Sequence, residues 1–161
     1  MTGRQGAPPP PELPWSLHKS PGWQGQYDRM LRWHRRLKAA KEPSDVEDFL
    51  YAFFVTCAHV RDWLLATNAV PQRALEAFCS SEEFRLCQDF CNAIKHFSLS
   101  DPKQGREFTL AREYVGVGRG QFGSDSTLVL LSRGKRHDAF DLADRCLGEW
   151  QRFLRSHGHN V

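Results

Sequence analysis

The sequence predicts a mainly α fold, a four-helix bundle with a β-hairpin inserted between the third and fourth helices. Three observations predict it. Val46, Leu50, Phe53, Cys57, Val60 and Leu64 recur at alternating spacings of four and three, the apolar stripe of a bundle helix. EFTLAREYVGV at 107–117 alternates Phe108, Leu110 and Tyr114 with Thr109, Glu113 and Val115, which suits a strand, and TLVLLS at 127–132 is its natural partner. The 161 residues are 40% hydrophobic with five Trp and eleven Phe, enough for one packed core.

Taken in chain order, MTGRQGAPPPPELP lacks apolar periodicity and many backbone donors, so residues 1–24 read as a disordered or polyproline-type tail. A solvated tail is favoured over docking to a proline-reading domain. The first helix runs from Gln26 to Ala40, where RRLKAAK places positive charge at its end and Pro43 stops it. Ser44 and Glu47 then form a capping box for the second helix. Pro71 interrupts, and ALEAF at 74–78 reads as a short connecting turn of helix. Ser80 or Ser81 caps the third helix, Glu82 and Glu83 suit its first turn, and it extends to about Phe97. Between the two strands, GRGQFG at 118–123 matches the letters of a dinucleotide fingerprint, but that motif must open a helix; here a second strand follows, so it reads as a hairpin loop. The fourth helix spans His137 to Arg155, and residues 25–157 make one helical domain with its hairpin at about 107–132.

The bulk numbers set limits on function. A net charge of +3 does not by itself argue for nucleic acid. Cys57, Cys79, Cys87, Cys91 and Cys146 are odd in number and no charged-then-apolar leader precedes them, which predicts a reducing, cytoplasmic location. The longest apolar run, FLYAFFV at 49–55, falls short of the roughly 20 residues that span a bilayer, so no membrane insertion is expected.

Function is sought in a second, polar pattern. In RLCQDFCNAIKH at 85–96, Leu86, Phe90, Cys91 and Ile94 serve a core, while Arg85, Asp89, Asn92 and His96 recur beside them at spacings of four, three and four. On the second helix His59 and Asp62 are neighbours on the side opposite the main stripe. That helix is apolar nearly all round, so this side too should be covered, and a buried Asp62 needs His59, Arg61 or Lys95 as its partner. Polar residues in bundles more often settle register than catalyse. The rival reading is a pocket of His59, Asp62, Asn92, Lys95 and His96, in which one imidazole takes a proton, another gives one, and lysine stabilises negative charge. Zinc at Cys87 and Cys91 with these groups is geometrically open, but no C-x-x-C pair is present and small buried cysteines at core spacing are ordinary; no metal and no cofactor is expected. A Cys91 or Cys57 nucleophile is disfavoured because both lie on apolar stripes.

CNAIKH at 91–96 resembles the signature of the HEPN superfamily, small helical proteins in which Arg-polar-x-x-x-His on a late helix forms an endoribonuclease site across a dimer. Residue by residue, His96 matches the catalytic histidine and Asn92 the polar residue, while Cys91 stands where arginine belongs. The motif is therefore degenerate and lacks its phosphate-binding guanidinium. FLYAFFVTCAHVRDWL at 49–64 with CQDFCNAIKHFSL at 87–99 is similar, over about residues 27–155, to a bacterial HEPN-like family sharing H-x-x-D-W and N-x-x-K-H. The resemblance implies a cytoplasmic, dimeric module that binds RNA or a partner protein, in a defence or toxin–antitoxin setting. The alternatives are a metal-independent endoribonuclease using His96 and His59, with Lys95 or Arg85 replacing the missing arginine, and a small-molecule-binding helical domain.

Overall fold

The computed structural model describes residues 22–95, 108–114, 116, 126–132 and 134–161, with side chains described for all of these except 93–95, 108, 114 and 126. In chain order the elements are α1 (Gly22–Ala39), α2 (Pro43–Thr67), α3 (Gln72–Phe78), α4 (Glu82–Lys95), β1 (Phe108–Tyr114), β2 (Ser126–Ser132), β3 (Lys135–Asp138) and α5 (Ala139–Ser156). The protein is mainly helical with a small three-stranded antiparallel sheet. Helix α2 packs against α1, α4 and α5, and the sheet lies on α4 and α5.

The apolar stripe of α2 is the centre of the core: Leu50, Phe53, Cys57, Val60 and Leu64 have no exposed surface. By length and composition α2 would also pass as a membrane span, a test that core helices pass as well. Trp150 of α5 is fully buried, and Phe78 stacks on it with ring centroids 4.3 Å apart, so α3 is held in the core as a real element.

Several boundaries differ from the sequence reading. Helix α1 begins at Gly22, so the expected tail limit of 24 falls inside it; Trp23 is buried and edge-on to His159, with centroids 4.7 Å apart. The packing also reaches Val161. The rest of the expected tail and the 118–123 loop lie outside the described residues.

The Ser44–Glu47 capping box is not formed. Pro43 opens α2, with its fixed φ and missing N–H suited to the first helical position, and this draws Ser44 into the first turn. Ser81 does act as expected, its Oγ accepting from the Phe84 N–H at 3.3 Å ahead of Glu82 and Glu83. The expected hairpin pairs Phe108 with Ser132 through Tyr114 with Ser126. Strand β3 was not expected, since residues 137–138 read as helix. Ser132 pairs with Lys135, and Gly134 in the two-residue turn takes φ +73°, a left-handed conformation that glycine adopts without strain. Asp138 closes the strand and caps α5, accepting from the Phe140 and Asp141 N–H groups at 2.9 and 3.0 Å.

Candidate functional site

Helical periodicity sets one face of α2 beside one face of α4. Val55, Ala58, His59 and Asp62 fall at i, i+3, i+4 and i+7; Gln88, Cys91 and Asn92 fall at i, i+3 and i+4. Together with Arg61 these side chains line a cleft of about 210 Å³ between the two helices. Sulfur joins the two helices beside it. The thiols of Cys87 and Cys91, one turn apart, donate to the same Phe54 carbonyl at 3.4 and 3.3 Å, tying α4 to α2.

The structure brings together three of the five residues singled out as a pocket: His59, Asp62 and Asn92. Lys95 ends α4 with its side chain outside the described set, and His96 lies outside the described residues. The expectation that this face of α2 is covered does not hold. His59, Asp62 and Asn92 are exposed, while the apolar residues of the two helices, Phe54, Cys57, Cys87 and Phe90 among them, are buried. Asp62 needs no buried partner, since its side chain is 59% exposed; Arg61 approaches it at 3.8 Å, a solvated contact worth little.

The polar stripe of α4 is also divided. Arg85 and Asp89 face a second cleft of about 360 Å³, with Ser80, Glu82, Lys135 and His137 among its walls. Arg85 is thus not the substitute cation for the α2–α4 cleft; β3, absent from the sequence reading, draws that end of the stripe to the sheet. A hydrogen bond from Lys135 at 3.3 Å holds the Glu82 carboxyl below its usual range. Gln88 was missed as a lining residue and Arg61 was weighed only as a neutraliser. The signal for Gln88 was its i, i+4 relation to Asn92.

The thiols face inward. Cys57 Sγ accepts from the Trp150 indole N–H at 3.1 Å, and Cys146 donates to the Glu83 carbonyl at 3.5 Å. Contact with the Cys57 sulfur, reinforced by burial, holds the Cys87 and Cys146 thiols well above the usual range. Among the described residues no group of three or more His, Cys, Asp or Glu side chains is placed to hold a metal ion.

Chemically, the cleft offers an exposed imidazole, a carboxylate, a guanidinium and two carboxamides, a set able both to donate and to accept hydrogen bonds. No family model, curated protein or solved structure matches the chain.

Proposed function

We propose that the chain is a non-catalytic, HEPN-like helical module that binds RNA or a partner protein through the α2–α4 cleft. The observation that carries this reading is Cys91: the position where the resemblance calls for a guanidinium holds a buried thiol committed to the Phe54 carbonyl. A buried thiol supplies no positive charge for a phosphate. Around it, exposed polar groups from two helices remain available for recognition. The volume of about 210 Å³ is below the roughly 300 Å³ at which small-molecule pockets begin, which favours a surface contact over an enclosed ligand. The five cysteines, all unpaired, suit the reducing cytoplasmic setting proposed with it. A homodimer, implied by the same resemblance, is part of the proposal and is read by light scattering on the purified chain.

One observation favours a second reading, the metal-independent endoribonuclease. Arg61 places a guanidinium in the same cleft as His59, where it offers the cation that position 91 lacks. Incubation of the full chain with mixed RNA in the presence of chelator separates the two readings. Retention of intact RNA, weakened in His59→Ala and Asn92→Ala variants, is the expected result. Cleavage that disappears in His96→Ala, His59→Ala and Arg61→Gln would replace the binding module with the enzyme.

A further inference from the structure

Helix α1 carries an arginine row that forms no ion pair among the described residues. At about 100° per residue, Arg29, Arg32, Arg35 and Arg36 lie on the side of α1 opposite buried Trp23, Gln26, Tyr27, Met30 and Leu37. All four are exposed. The other basic side chains of this helix are already engaged, His34 and Lys38 both reaching Asp144 at 2.7 Å. Among the described residues no carboxylate lies within ion-pair distance of the four arginines, and Asp28 is the one acid that α1 itself contributes. Arg29 donates to the neutral Gln26 side chain at 3.4 Å. Arg36 is held over the Trp33 ring at 4.7 Å, which fixes its guanidinium, and Trp33 in turn rests on Phe49 at 5.8 Å.

We infer that this row is a contact surface for the phosphate backbone of a single-stranded nucleic acid. Arg29, Arg32 and Arg36 follow at i, i+3 and i+7, so positive charge runs for about 10 Å along the helix axis. Planar guanidiniums match phosphate oxygens two at a time, and a polymer with regularly repeated charge satisfies several at once. None of these arginines lines the α2–α4 cleft. The inference deepens the reading above by naming RNA as the partner class and the backbone as what α1 holds. It rests on the RNA branch of that reading.

The test is binding of a fluorescent 20-nucleotide oligouridylate to the full chain between 50 and 200 mM salt. Each phosphate contact to a single strand contributes about 0.7 to the log–log salt slope, so four give a loss of about 50-fold across that range. An Arg32→Gln, Arg36→Gln double variant, which keeps good helix formers at exposed positions, should bind about tenfold more weakly at the lower salt and lose only about sevenfold across the range. Unchanged circular dichroism and urea midpoint confirm its fold. Unchanged affinity and slope in this variant, with weakening confined to a His59→Ala, Asn92→Ala variant, would overturn the inference and leave the cleft reading intact. Failure of the parent to bind the oligonucleotide at 50 mM salt would overturn it and leave the protein-partner branch. Displacement by polyglutamate as efficient as by unlabelled oligouridylate would also overturn it, in favour of an acidic protein.

Discussion

Asp144 on α5 shows how little a visible ion pair need contribute. Burial pushes its carboxyl up, but hydrogen bonds from Lys38 and His34 outweigh that and hold it below the usual carboxylate range. Its side chain is 45% exposed, so the contact is screened and is worth at most about 1 kcal/mol. A carboxyl lowered in the folded state contributes stability above the unfolded value, near 3.9, and loses it as pH falls through the lower folded value. Asp144→Asn should therefore cost up to about 1 kcal/mol at pH 7, and the difference from the parent should shrink toward zero as pH falls from the unfolded value through the lower folded one. Urea titrations across that pH range measure it; a cost that persists undiminished at pH 2 would mean the loss is packing, not charge. Trp150 stands at the other extreme. It has no exposed surface, packs at a tilt on Phe78 and edge-to-face with Phe84 and Phe153, and its indole N–H reaches the Cys57 sulfur. Trp150→Ala should cost about 3–5 kcal/mol in the same assay, since a cavity opens where α2, α3, α4 and α5 meet.

Among the elements, α5 depends on its first residue outside the helix. Asp138 serves β3, where it pairs with Val129, and also caps α5, while its other oxygen accepts from the Thr127 hydroxyl at 2.9 Å. Asp138→Ala should destabilise the protein by about 1–2 kcal/mol, and Asp138→Asn or Asp138→Ser by less, because both retain a capping oxygen. Thermal melts of the three variants give the ranking. Asp138 also shows what the sequence could and could not convey. The four long helices were legible because their apolar periodicity is long and regular, and β1 with β2 because strand-type runs flank a glycine-rich turn. Strand β3 has four residues, KRHD, with no apolar member to create a pattern, so only its pairing with β2 reveals it. For the cleft, the one-turn spacing of polar residues on each helix was readable, and His59, Asp62 and Asn92 line the same opening. Whether their face is open or covered was not readable, because that depends on which neighbours pack over it in the tertiary fold. Helix α4 also divides its stripe between two neighbours, a fact that belongs to tertiary packing.

For the molecule as a whole, the thiols offer a test of cooperativity. Cys57, Cys87 and Cys146 come from α2, α4 and α5, and all are buried around one another at the junction of these helices. Cys79, which follows α3, is only partly buried, but burial still pushes its thiol up to about 11. At pH 8 about one Cys79 in a thousand is then thiolate, the form that reacts. A disulfide reagent added to the native chain should label Cys79 slowly and the three clustered thiols only when the helices separate. Because no one of those helices can withdraw without uncovering sulfur on the other two, Cys57, Cys87 and Cys146 should be modified at a common rate, resolved by peptide mass spectrometry. Leu50→Ala, which opens the core on α2 without altering a cysteine, should lower global stability by about 2–5 kcal/mol and accelerate all three together. Clearly different rates for Cys57 and Cys146 would mean that α5 opens independently of α2, and the helical layer would then be two cooperative units instead of one.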